Sequence, residues 1–285
     1  AFGEFLCTFM FIFIGTATAF NYTFEPNSNS TSLALRLALC TGFAAVALIY
    51  AFADVSGANF NPAVSFATFV TGKIDFLKLL MYWAAQLIGS SLAILVLIII
   101  FPGTDAAHRV VVSRGPDTNL YNAFCMEFIL TFILVYIIFA TAFDKIDNAE
   151  ENKAEIALEE GLLDDGVVEP QTTGNSKKRA KPKLTVYTTS GTSKGAFAPI
   201  AIGFTIGFLN LMGGTVSGGC YNPARAFGPA LLSMNWKDHW LYWIADLLGG
   251  GFAGYVQMIL SNDKNTDFLV LFRPAINLIK GRKSN

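Results

Sequence analysis

The sequence predicts an all-α membrane protein: six transmembrane helices plus two re-entrant half-helices, arranged as an inverted repeat. Three observations lead there. First, 53% of the 285 residues are hydrophobic and only 14% are charged, with a mean hydropathy of +0.47. A soluble domain carries about 25% charged residues and has nowhere to bury this much apolar surface. Second, six runs are long enough to cross the bilayer, whose core of about 30 Å takes roughly 20 apolar residues as helix. Third, the triplet Asn-Pro-Ala occurs twice, at matching places in the two halves. A net charge of −1 argues against nucleic acid as a partner, and four scattered cysteines without a CxxC spacing argue against a disulfide scaffold. No nucleophile–base pair or metal-ligand cluster stands out, so catalysis, metal and cofactor are not expected.

The six spans run near 2–21, 33–53, 76–101, 121–143, 195–213 and 240–260. Polar or turn-forming residues break each at its ends, and none alternates like a barrel strand. The first carries Glu4 and lacks a basic leader region, so it reads as a span rather than a signal peptide. With a cytoplasmic N-terminus and alternating spans, fifteen of the twenty Lys and Arg fall on cytoplasmic segments and four on outer ones, the bias that orients membrane proteins. Both termini are then cytoplasmic. Candidate glycosylation sites at Asn21 and Asn29 fall in the first outer loop. The membrane is expected to be the plasma membrane or that of an intracellular vesicle.

The halves repeat. Glu4–Phe11 matches Glu127–Leu134 at an offset of 123, and Ser56–Ala63 matches Ser217–Ala224 at an offset of 161. The chain therefore divides into residues 1–143 (spans one to four with the first half-helix), an inserted loop at 144–195, residues 196–261 (spans five and six with the second half-helix) and a cytoplasmic tail at 262–285. Three spans per copy is odd, so the second copy enters the membrane from the opposite face. Such inverted folds place their site at the midplane, between the copies. The insertion holds 18 of the chain's 41 charges, ten acidic and eight basic, and ends in a Ser/Thr cluster. A charged loop of this length is usually functional or disordered.

Asn61-Pro62-Ala63 and Asn222-Pro223-Ala224 each follow a Gly/Ser-rich turn. Asn favours the helix N-cap and Pro the first helical position, so each triplet should start a helix. About ten apolar residues follow, half a membrane at 1.5 Å per residue. The two half-helices should enter from opposite faces and meet tip to tip. Their N-termini would concentrate positive partial charge at mid-depth, disfavouring cations and hydronium and tolerating neutral dipoles. The Asn amides would donate to a passing oxygen. The non-helical backbone before each triplet, at Gly57, Ala58, Asn59 and Phe60 and at Gly218, Gly219, Cys220 and Tyr221, must line a wet cavity and offer a ladder of carbonyls.

On both triplets, the Glu near the start of spans one and four, and Arg225 three residues after Asn222, the sequence resembles the aquaporin (major intrinsic protein) family over nearly the whole chain outside residues 144–195 and the tail. The resemblance implies a homotetramer with one pore per subunit, passing water and small neutral solutes. It places an outer constriction at Thr41, Asn210, Gly219 and Arg225. Orthodox water channels usually carry an aromatic residue at the first position and His at the second. Thr and Asn are smaller, which widens the ring. Ala226 stands where glycerol-conducting relatives carry Asp, and Tyr242-Trp243 matches the water-channel pattern. Water is therefore the favoured permeant. Alternatives are a glycerol or urea channel, and an adhesion or junction protein with a closed pore.

Other residues take plainer roles. Glu4 and Glu127, costly at membrane depth, should brace the loops before the half-helices. His108 and His239 read as surface residues, and Gly249–Gly251 as close helix packing. The loop at 144–195 is a candidate gate, with Tyr187 its only aromatic residue and its basic hydroxyl-rich end a target for a protein kinase.

Overall fold

The computed structural model describes residues 1–22, 29–143 and 193–260. It is all helix among these residues: α1 Phe2–Tyr22, α2 Ser30–Ser56, α3 Pro62–Val70, α4 Phe76–Ile100, α5 Ala106–Arg109, α6 Leu120–Ala142, α7 Ser193–Gly213, α8 Pro223–Ser233 and α9 His239–Leu260. Six of them are long and apolar enough to cross a membrane. Starts are set by capping side chains: Asn29 accepts from the Ser32 amide, Asp75 from Lys78 and Asn119 from Asn122. Large apolar residues such as Phe43, Phe204 and Leu248 face outward, where lipid rather than water would cover them.

The packing repeats as the sequence does. α1 lies against α2 and α4, as α6 lies against α7 and α9, and α2 meets α7 at the centre. Close approach needs glycine where α1 crosses α4: a Cβ at Gly89 would lie 2.5 Å from the Phe5 carbonyl oxygen. Gly249, 160 residues on, stands in the same relation to Phe128 where α6 crosses α9. Each half-helix packs on a span of the other repeat, α3 on α9 and α8 on α4. Ser90 on α4 donates to the Ala224 carbonyl at 2.5 Å, so the second tip is tied to the first repeat. The short helix α5, beside α8, has no counterpart in the sequence reading. Tyr187, residues 144–192 and the tail at 262–285 lie outside the described residues.

Candidate functional site

The two loops that lead into α3 and α8 adopt one backbone twice. Gly57, Ala58 and Phe60 have φ of 92°, 46° and 35°, and Gly218, Gly219 and Tyr221, each 161 residues on, have 90°, 56° and 38°. For Ala58, Phe60 and Tyr221 that conformation costs about 1–3 kcal/mol each. Two buried carboxylates offset it. Glu4 accepts from the Asn59 and Phe60 amides at 2.9 and 2.8 Å, and from the Ser56 hydroxyl at 2.8 Å. Glu127 accepts from the Cys220 and Tyr221 amides at 2.8 and 2.6 Å, and its side chain meets the Ser217 hydroxyl. Both Glu side chains are fully buried, so each is spent on bracing its loop.

The triplets cap their helices and cross-link each other. Asn61 Oδ1 accepts from the Ala63 amide at 2.9 Å, and its Nδ2 donates to the Tyr221 carbonyl at 2.7 Å. Asn222 Oδ1 accepts from Ala224 at 3.0 Å, and its Nδ2 donates to the Phe60 carbonyl at 3.0 Å. Pro62 and Pro223 occupy the first helical positions. The two N-termini are thereby held tip to tip, and each amide nitrogen keeps a second N–H. The loop carbonyls of Phe60 and Tyr221 are the acceptors of this cross-link.

Cavities approach the tips from both sides. On the N-terminal side, Gly57, Ala58, Asn59, Phe60 and Asn61 form a polar edge facing apolar residues including Ile49, Ala53, Leu134, Ile138 and Ile202. Asn59 donates to Ser65 at 3.2 Å, and its Oδ1 has no partner among the described residues. On the opposite side, Thr41, Asn210, Arg225 and Tyr221 share a cavity with Phe11, Ile12, Gly15 and Thr16. There Asn210 Nδ2 donates to Thr41 Oγ1 at 2.8 Å and to the Ile206 carbonyl at 3.1 Å, while Thr41 donates to Leu37 at 2.6 Å. Both amide N–H groups of Asn210 are used, so the face it turns to the cavity is its Oδ1, which the Tyr221 side chain also meets. Arg225 supplies the opposite polarity: its Nη1 donates to the Gly218 and Gly219 carbonyls at 3.2 and 3.0 Å, which fixes the head and leaves other N–H donors of the fork. Gly219 joins the group through its carbonyl.

Cys220 is buried, with its thiol on the Asn222 carbonyl at 3.1 Å. Asn21 is exposed near the end of α1, and Asn29 is exposed at the cap of α2. His108 is exposed beside Asp105, whereas His239 is half-buried and accepts from Trp243 at 2.9 Å.

Sequence reasoning passed over three groups. The Tyr221 side chain reaches the outer cavity and meets Asn210. Gln86 and Asp246 are fully buried polar residues inside spans. The signal for the last two was in the repeat: Tyr82-Trp83 with Gln86 and Tyr242-Trp243 with Asp246 align at an offset of 160.

Comparison with known proteins agrees with this architecture. The profile of the Major intrinsic protein family matches residues 1–176 and 184–257. Aquaporin-B of Dictyostelium discoideum is 51% identical over 91% of this chain and 82% of its own length. Aquaporin TIP1-1 of Arabidopsis thaliana is 36% identical over 77% and 72%. The X-ray structure of the aquaglyceroporin from Plasmodium falciparum shares the fold, with a TM-score of 0.64 at 22% identity over 89% of this chain and 92% of that one. An integral multi-pass membrane protein with this repeat and these relatives is a channel rather than an enzyme, and the chain belongs to the aquaporin, or major intrinsic protein, family.

Proposed function

We propose that the chain is a passive water channel, driven by osmotic gradients, that excludes protons and ions. The observation that carries this reading is the reciprocal link between the tips, Asn61 to the Tyr221 carbonyl and Asn222 to the Phe60 carbonyl. It sets two helix N-termini against each other where the cavities converge. The remaining N–H of each Asn donates to a water oxygen, so a water at the tips turns both its hydrogens outward and the proton-conducting file is interrupted. The two positive helix ends add a barrier to cations. On the outer side Arg225 donates and Asn210 accepts, a pairing that suits water, and among the described residues no acidic side chain lines that cavity.

Glycerol or urea passage is the second reading. Its support is the small size of Thr41 and Asn210 at the constriction. The closed junction protein is the third. Stopped-flow light scattering on proteoliposomes separates them: fast osmotic shrinkage alone fits water, re-swelling in glycerol or urea fits the second, and lipid-like rates fit the third.

The same proposal includes cytoplasmic termini, a homotetramer in lipid, and gating by residues 144–195 under a protein kinase. Support for the gate is the charge and hydroxyl content of that segment and the lone Tyr187. Deleting the segment, or Tyr187→Ala, should raise water permeability, and unchanged flux in both variants removes the gate.

A further inference from the structure

The repeat breaks at one buried position. In the first half, Glu4 receives four donors: the Asn59 and Phe60 amides, the Ser56 hydroxyl and the Gln86 amide, the last at 2.8 Å. The second half keeps the two amides on Glu127 in the same order, from Cys220 and Tyr221, with the Ser217 side chain against the same carboxylate. The fourth place, 160 residues after Gln86, is Asp246. Its side chain is fully buried and meets that of Glu127, and its Oδ1 accepts from Thr131 at 3.1 Å. Its Oδ2 has no donor within reach among the described residues. An ionised Asp246 would leave that buried oxygen bare and set two anions against each other in a site with little solvent to separate them.

The donor count points the same way. Gln86 has two N–H groups and two acceptors, Glu4 and Ser65, the latter at 2.9 Å. Ser65 corresponds to Ala226 in the second repeat, whose side chain has no acceptor. A carboxylic acid has one O–H, and with Thr131 donating to Oδ1 the Glu127 carboxylate is the acceptor left for it among the described residues. We propose that Asp246 is a positioning residue that shares a proton with Glu127, replacing the Gln86 amide as the fourth donor to the loop-bracing carboxylate. The shared proton leaves one net negative charge on the pair, against the single positive charge of Arg225. It holds Glu127 on the Cys220 and Tyr221 amides, and so holds the loop whose Gly218 and Gly219 carbonyls seat Arg225.

The test uses the full chain in liposomes. Infrared difference spectra of wild type against Asp246→Asn at neutral pH should show a carboxylic-acid carbonyl band present only in wild type; no such band overturns the shared proton. Asp246→Ala should lower osmotic water permeability by roughly threefold or more, since it strips a buried acceptor of its donor. Asp246→Asn, whose amide donates to Glu127, should restore most of it. Wild-type flux in the alanine variant, or equal damage in both variants, overturns the positioning role. Should the alanine variant fail to assemble, the asparagine variant and the infrared band still decide. The permeability arm rests on the water-channel reading and the infrared arm does not, so failure of one is distinguishable from failure of the other.

Discussion

The loops before α3 and α8 share a backbone and differ in chemistry. Both have three left-handed residues, a buried Glu on two amides, an Asn cap and a Pro. Yet Arg225 corresponds to Val64, Asp246 to Gln86 and Ala226 to Ser65. The first loop opens on a cavity walled by Ile49, Leu134, Ile138 and Ile202, the second on one that gathers Thr41, Asn210, Tyr221 and Arg225. The repeated residues build the tip-to-tip scaffold. Where the copies diverge, Thr41, Asn210 and Arg225 gather polar groups on the second side, which the water-channel proposal reads as the filter.

That division predicts graded effects. Removing a scaffold residue should do most damage. Glu4→Ala or Glu127→Ala leaves at least two buried backbone N–H groups without an acceptor, about 1–3 kcal/mol each, and both variants should lose several degrees of thermal stability in detergent. Comparable loss from either would confirm that the loops are equivalent as scaffolds, and loss from only one would break the comparison. Next comes helix crossing: Gly89→Ala pushes a Cβ against the Phe5 carbonyl and should cost roughly 1–3 kcal/mol, read as a lower melting temperature and less assembled protein.

Residues that break the repeat should change selectivity at smaller cost. Arg225→Val copies the first repeat and removes the fixed cation from the outer cavity. Glycerol or urea flux should rise by roughly tenfold through the lost donor and charge, while the assembled protein remains. No rise would move the filter elsewhere. The smallest effect is expected of Thr41→Val, which deletes the hydroxyl that joins Asn210. It should cost about 1 kcal/mol, visible as a modest fall in thermal stability and a modest change in urea permeability.

Much of this was legible in the chain. Apolar runs bounded by polar residues located the six long helices, with α2 extending to Ser30–Ser56 because Asn29 caps it beyond the apolar window. The triplets announced α3 and α8, since Asn and Pro are cap residues by local chemistry alone. The family resemblance brings Thr41, Asn210 and Arg225 to one constriction, but the bond between Thr41 and Asn210 joins positions 169 residues apart, and spacing along one helix carries no sign of it. Asp246 was hidden for a related reason. One acid in an apolar run barely changes its hydropathy, and its meaning comes from Glu127 on another helix. α5 is four residues long, too short for any periodicity to register.

Opposed tips of this kind should conduct water and refuse protons. Proteoliposomes holding the full chain and a trapped pH dye test both halves at once. An osmotic step should shrink them well above the lipid rate while an acid step of the outer medium leaves the dye signal at the lipid baseline. Shrinkage at the lipid rate from protein lacking residues 144–195, or rapid acidification through the wild-type protein, would contradict the account.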